Sequence, residues 1–358
     1  MMAIPATMQA MVLTGHGGLD RLEWREDVPV PSPARDEVLI RVGASAVNNT
    51  DINTRTGWYS KSVRGDTASG ASGGYGAASE ADGGWSGSLS FPRIQGADCC
   101  GEIVSVGEGV DAARIGERVM VRTMQSRGPL GSKDSIVTLG SESDGAFAQY
   151  LTVTAGDAIR VESPLSDLEL ASFPCAFSTA EGMIQRATLG TERVLITGAS
   201  GGVGSAAIQL AKRRGAHVTA MTSPAKADAL LDLGADAILA RDADLPDRAF
   251  DVVLDLVGGP RWPQLLETLC DGGRYVTSGA IAGPIVELDL RTLYLRDLTL
   301  FGSTYQPPEI FTDLIGYIAA GEIRPVIAET FALRDLRAAQ EAFLTKSHIG
   351  KIAIRIGD

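Results

Sequence analysis

The sequence predicts an α/β protein in which a β-rich region leads into a doubly wound parallel sheet. Three observations carry this. At Arg193 to Gly204 a short apolar run, Val194, Leu195 and Ile196, passes through Gly198-Ala199-Ser200-Gly201-Gly202-Val203-Gly204 into an apolar stripe at Val203, Ala206, Ala207, Leu210 and Ala211. That is a buried strand, a glycine turn and an amphipathic helix. From there to Gly302, strand-like and helix-like stretches alternate, giving six strands in all, the pattern of a parallel sheet with helices on its faces. Before residue 160, the ordered stretches read mostly as strands.

In chain order, Gln9 to Leu13 reads as an opening strand and Glu37 to Val42 as the next, after the Pro-rich stretch Pro29 to Pro33. Ala44 to Asn53 is rich in Asn, Thr and Asp, which favour caps and turns. Gly101 to Gly107, Gly116 to Val121 and Gly145 to Val153 are further strands, with glycine at their bends. Leu168 to Leu189 reads as helical with a break near Pro174. The later strands are His217 to Met221, Ala237 to Ala240, Asp251 to Gly259, Gly273 to Gly279 and Leu298 to Gly302. Ser223-Pro224 supplies an N-cap and a first-turn proline for a helix reaching Leu233. The tail adds a helix after Pro308, a strand near Val326 to Phe331, a helix from Asp335 and a last strand from Lys351 to Ile356.

Ser60 to Ser90 differs in character. Of its 31 residues, 8 are Gly and 8 are Ser, so it buries too little apolar area to offset its ordering entropy. It is expected to be a long, mobile insertion. It is either a tolerated surface loop or a lid that carries Trp85 or Tyr75 over a cleft.

The chain has 358 residues, enough for two cores, and a net charge of −12. That balance argues against sequence-independent nucleic-acid binding and against an anionic membrane surface. No apolar run is long enough to span a bilayer, and Met1 to Pro5 lacks the features of a signal peptide. Cys99, Cys100, Cys175 and Cys270 form no C-x-x-C pair, so a reducing cytoplasm is the expected compartment.

Within the strand–turn–helix context, the glycines let backbone N–H groups approach a pyrophosphate at a helix N-terminus. Ala199, Ser200, Gly201, Gly202, Val203 and Gly204 are therefore the expected dinucleotide-binding turn, with Ala199 where the first glycine of G-x-G-x-x-G would stand. The second strand ends at Met221-Thr222-Ser223 with no Asp or Glu. A carboxylate there would bind a ribose 2′-OH, and its absence removes repulsion toward a 2′-phosphate. Thr222, Ser223 and Lys226 are placed to receive that phosphate, which selects NADPH. The competing reading makes Ser223 a helix cap and Lys226 a solvated charge. The nicotinamide is expected across the strand ends near Gly258, Gly279, Gly302, Ser303 and Thr304.

The order of parts, with Gly96-Ala97-Asp98, Gly101 to Gly107, Gly116-Glu117-Arg118-Val119, the glycine turn and Gly350-Lys351-Ile352, resembles the medium-chain dehydrogenase/reductase superfamily. The resemblance implies a GroES-like β-rich catalytic domain over residues 1–165 (with 60–90 as an insertion), a doubly wound Rossmann parallel-sheet domain over 166–303, and a return to the catalytic domain over 304–358. It also implies a homodimer or homotetramer. The zinc alcohol dehydrogenases of the superfamily hold zinc through Cys, His and Cys. Here Asn48 and Ala97 stand at the first two positions, and only Cys175 matches. No metal is expected from one ligand in three, and Cys175 becomes a buried apolar residue or, less simply, a reactive thiol.

The pattern is similar to the zinc-independent quinone oxidoreductase and enoyl reductase branches. The segment from Thr50 to Tyr59 resembles the part of 2-enoyl thioester reductases that carries a catalytic tyrosine, which falls on Tyr59. Tyr59 as proton donor and Tyr59 as cleft-wall aromatic both remain open. Without zinc, a conjugated acceptor is favoured, because charge left by the hydride spreads into an enolate or quinol. The expected activity is hydride transfer from NADPH to a quinone or α,β-unsaturated carbonyl. Asn48 would offer its amide to the carbonyl oxygen, and Tyr59 or water would supply the proton. The alternatives are a non-catalytic NADPH-binding protein and a zinc-free alcohol dehydrogenase-like enzyme.

Overall fold

A computed structural model describes residues 3–76, 82–85, 87, 89–126 and 136–357. Arg193–Ile196 is the first strand of a six-stranded, wholly parallel sheet. Across that sheet the strands run Ala237–Ala240, His217–Thr222, Arg193–Ile196, Phe250–Asp255, Leu269–Thr277 and Thr299–Gly302. The order reverses beside Arg193–Ile196, between it and Phe250–Asp255, which is where a doubly wound sheet opens a crevice at its strand ends. In the helix Gly202–Arg213, Ala206, Ala207, Leu210 and Ala211 are buried against Val194, Ile196, Val218 and Val252, as the stripe predicts.

A second sheet contains Glu37–Val47, Cys100–Val106, Arg118–Val121, Ala158–Arg160 and Tyr150–Thr154. The tail strand Lys351–Arg355 enters it antiparallel to Glu37–Val47, pairing Ile352 with Val47 and Ala353 with Ala46. Its core packs Val38, Ile40, Ile103, Val119, Phe147 and Ile354. The chain end therefore lies beside the segment that begins at Asn48. Among the described residues no helix is long and apolar enough to cross a membrane.

Two elements differ from the sequence reading. The fourth parallel strand stops at Asp255 rather than Gly259. The Asp255 carboxylate accepts the N–H groups of Val257 (2.9 Å) and Gly258 (3.1 Å), which turns the chain out of the sheet. The insertion is anchored where it is described. The buried Arg55 guanidinium donates to the carbonyls of Gly17 and Ala71, Tyr75 N–H bonds Thr56 O, and Thr67 N–H bonds Ile281 O at 3.0 Å. Val63, Thr67 and Leu89 are buried. Backbone bonds, the buried Arg55 and side chains such as Asp82, which accepts from Ser60 Oγ and Lys61 N–H, hold the described part of this Gly/Ser-rich segment; 77–81, 86 and 88 lie outside the described residues.

Candidate active site

The nucleotide turn is built by close backbone packing. Gly198 has φ +57°, and a Cβ on Gly204 would come within 2.4 Å of Gly198 O. Only glycine allows the helix Gly202–Arg213 to start this close to the strand. Thr197 Oγ1 and the Tyr275 hydroxyl both donate to Asp255, so one buried carboxylate ties three strand ends together. Asp255 was not legible as a site residue; its signal is an acid directly after the apolar run Val252-Val253-Leu254.

A cleft of about 1330 Å³ runs along these strand ends to the other sheet. It brings together Ser200, Gly201, Gly202, Val203, Gly204, Lys226, Gly258, Gly279, Gly302, Ser303 and Thr304 with Asn48 and Tyr59. Ala199, Thr222 and Ser223 are not in its wall. Ala199 is fully buried, and Thr222 is buried with Oγ1 left without a hydrogen-bond partner. Ser223 makes no capping bond either.

Lys226 needs correction as a free phosphate ligand. Its ammonium donates to the carbonyls of Lys346 and His348, each at 2.7 Å, and lies 3.4 Å from Ser200 Oγ. All three hydrogens are directed at protein oxygens, so the lysine clamps the tail to the nucleotide turn. Arg241, just past the strand Ala237–Ala240, is exposed and lines the same cleft. The sequence reading missed it because it follows the third strand, not the second.

Asn48 also differs from expectation. Its amide nitrogen donates to Asp98 Oδ2 (2.7 Å) and Ala46 O (3.2 Å), and its carbonyl oxygen accepts from Lys351 Nζ. No amide hydrogen remains for a substrate. Asp98 also accepts Lys351 Nζ at 2.8 Å and Cys175 N–H at 2.7 Å. Asp98 and Lys351 were read only as parts of motifs; three-dimensional pairing reveals their role.

Tyr59 stands between two tryptophans. Its ring meets Trp58 edge-on at 5.7 Å and Trp85 in a stacked arrangement at 6.1 Å. Trp85 is held in turn by its N–H bond to Ser141 Oγ. Burial pushes the phenol up to about 12, against smaller opposing effects of Thr50 and Asn53, so it is protonated at neutral pH. The Thr50 and Asn53 side chains are the hydrogen-bonding neighbours of this phenol. Thr50, absent from the sequence reading as a site residue, lines the cleft beside Tyr59. Beneath them, burial raises the Asp51 carboxyl to about 7, against its bonds from the N–H groups of Asn48 and Gly96.

Residues 34–163 match the alcohol dehydrogenase GroES-like domain, and residues 202–320 match the zinc-binding dehydrogenase family. A Sinorhizobium meliloti 1021 protein, provisionally assigned as an alcohol dehydrogenase, superimposes with a TM-score of 0.88 and 45% identity over 98% of this chain and 97% of its own. The chain belongs to the medium-chain dehydrogenase/reductase superfamily. Within it, the acryloyl-coenzyme A reductase of Metallosphaera sedula is 29% identical, over 97% of this chain and 99% of that protein. The chloroplastic NADPH-dependent alkenal/one oxidoreductase of Arabidopsis thaliana is 27% identical, over 98% of this chain and 80% of that protein. Membership makes this chain an oxidoreductase with a nicotinamide cofactor. The glycine cradle, which a Cβ would fill, fits such a group.

The zinc of the superfamily does not fit. Ala97 offers no donor, and the Asn48 side chain is committed to Lys351 and Asp98. Burial first, then the Asp98 charge, pushes the Cys175 thiol far above its usual range, whereas zinc binds thiolate. The Lys351 ammonium would repel a cation at Asn48. Among the described residues, no group of three or more His, Cys, Asp or Glu is placed to hold a metal.

Proposed function

We propose that the protein is a zinc-independent, NADPH-dependent reductase of α,β-unsaturated carbonyl compounds, with enoyl thioesters of an anionic carrier favoured over neutral quinones. The observation that carries this reading is the charge of the cleft. The chain has a net charge of −12, yet the cleft wall holds Lys61, Arg186, Lys226, Arg241, Arg261, Lys346 and Lys351, and no Asp or Glu among the described residues. A concave, cationic wall in an acidic protein concentrates anions. Arg241 lies near Lys226. Lys61 flanks Tyr59 and Trp85 on the insertion. Arg186 ends the helix Pro174–Arg186, whose second residue is Cys175. Those two cations stand apart from the nucleotide turn and suit the phosphates of a carrier such as coenzyme A. The names of the Metallosphaera and Arabidopsis relatives agree with a conjugated acceptor and with NADPH.

NADPH, when bound, supplies the hydride. The residues Gly198 to Gly204 would seat its pyrophosphate, and Arg241 its 2′-phosphate. Tyr59 holds a proton facing the cleft and releases it to the α-carbon once the β-carbon has received the hydride, water serving where the phenol does not reach. Trp58 and Trp85 fix the ring and narrow the cleft around it. NADPH oxidation against crotonyl-CoA, the matching unsaturated ketone and a neutral benzoquinone tests the reading. Turnover should be highest for the thioester, and KM for it alone should rise with salt. Faster turnover of the quinone would overturn the substrate class, and tight NADPH binding without turnover of any acceptor would make the protein a binding protein.

The partner is proposed to be a second copy. Ile285, Val286, Leu288, Leu290, Tyr294 and Leu295 are exposed in one short stretch. They directly precede Thr299–Gly302, the edge strand of the parallel sheet. Together these features offer an apolar patch beside unpaired backbone, the combination that self-association covers.

A further inference from the structure

Lys351 is a deeply buried cation of the cleft that keeps one hydrogen bond to give. Its ammonium has three hydrogens. Asn48 Oδ1 at 2.5 Å and Asp98 Oδ2 at 2.8 Å take two. The third has no partner among the described residues, and Lys351 lines the cleft with Asn48, Thr50, Tyr59 and Cys175. The side chain is only 4% exposed. Its root is fixed from both sides: Gly350 N–H bonds Ser200 O at 2.9 Å, and Lys351 N–H bonds Val326 O at 2.8 Å. Its stem crosses the nucleotide turn, where a Cβ on Gly202 would approach Lys351 Cδ to 2.7 Å. Asp98 is itself anchored by Cys175 N–H and by Asn48. The donor is therefore oriented before any ligand arrives, the condition under which a hydrogen bond to developing charge is most effective.

We propose that Lys351 donates this third hydrogen bond to the substrate's carbonyl oxygen, placing an ammonium where other members of the superfamily place a metal ion. The assignment rests on the enone-reductase reading above. When a hydride adds to the β-carbon, the C=C π pair moves to form a double bond between the α-carbon and the carbonyl carbon. The carbonyl π pair moves onto oxygen. Lys351 hydrogen-bonds that oxyanion without giving up its proton. As the C=O bond re-forms, the α-carbon takes a proton from Tyr59 or water. The substrate gains one hydride and one proton, and NADPH is oxidised to NADP⁺. Asn48 cannot take this role with both amide hydrogens engaged; it and Asp98 are positioning residues for Lys351.

The test compares the wild-type protein with Lys351→Met, Lys351→Arg and the double variant Asp98→Asn, Lys351→Met. The double variant removes both buried charges and so keeps a folded comparison available. Turnover of the enone should fall 10²- to 10³-fold in Lys351→Met and in the double variant, and Lys351→Arg should recover at least tenfold. The Kd for NADPH, read by nucleotide fluorescence without substrate, should stay within twofold. A second readout needs no turnover: 4-nitrophenol bound in the cleft should titrate at least one pH unit lower in wild type than in the double variant, read from phenolate absorbance. Unchanged turnover in an active protein overturns the assignment alone, as does a tenfold weaker NADPH affinity with turnover retained. Absence of enone turnover in the wild type overturns the enone reading, and the phenol titration then still decides for or against Lys351 as the oxyanion donor.

Discussion

Replacing Arg241 with alanine, compared with replacing Lys226, separates an uncommitted cation of the cleft from a committed one. Arg241 is exposed, and its guanidinium makes no hydrogen bond among the described residues, whereas Lys226 is buried and committed to the carbonyls of Lys346 and His348. A unit charge pair at about 4 Å is worth about 1 kcal/mol in water and about 4 kcal/mol at an effective dielectric of 20. For an exposed arginine the effect belongs near the lower figure, about 1.4 kcal/mol or tenfold in Kd. Arg241→Ala should thus weaken NADPH about tenfold and leave NADH, which has no 2′-phosphate, unchanged. Lys226→Ala should behave differently. It leaves two carbonyls without their charged donor, at about 1–3 kcal/mol of stability. By freeing the tail from the nucleotide turn, it should weaken both nucleotides together. Fluorescence titration of both nucleotides against both variants, with thermal melts, measures this. If Lys226→Ala erases the preference for NADPH while Arg241→Ala leaves it intact, the argument from committed and uncommitted donors is refuted.

Three other outcomes follow from the same structure. Tyr59→Phe keeps the ring between Trp58 and Trp85 and should lower enone turnover by 10²–10⁴ without moving NADPH affinity; unchanged turnover assigns the proton to water. Burial raises Asp51 to about 7, above an unfolded carboxyl near 4, so the folded state binds more protons across that window. Stability should therefore fall as pH rises from about 4 to 7 and level off above, and Asp51→Asn should flatten that slope in urea melts at successive pH values. Leu290→Glu combined with Leu295→Glu places charge in the exposed apolar stretch and should turn the proposed dimer into a monomer by sedimentation, and a mass unchanged from wild type would remove this face from the proposed interface.

Much of the fold was legible because it depends on local periodicity. The strand from Arg193, the glycine turn and the stripe from Ala206 to Ala211 are contiguous, and each needs only its neighbours to be recognised. The missing acid after Met221 and the missing ligands at Asn48 and Ala97 were equally plain, since an absent side chain is read directly from the chain. Tyr59 was placed in the cleft by resemblance, and the structure puts it there.

What the sequence could not decide was which donors were already spent. Lys226 looked free, and only the fold brings the carbonyls of Lys346 and His348 to it, 120 and 122 residues away. Asn48 looked available, yet Asp98 and Lys351 reach it across 50 and 303 residues. The insertion looked loose, because its anchors are backbone groups and scattered polar side chains such as Arg55 and Asp82, which carry no compositional signature. The sequence by itself determined the fold class, the nucleotide turn and the loss of the metal ligands, all properties of residue type at short range. The tertiary structure alone decided which polar groups still have a hydrogen bond to offer. That depends on distances between segments far apart in the chain, and a polar group buried beside a partner is no longer a ligand for anything else.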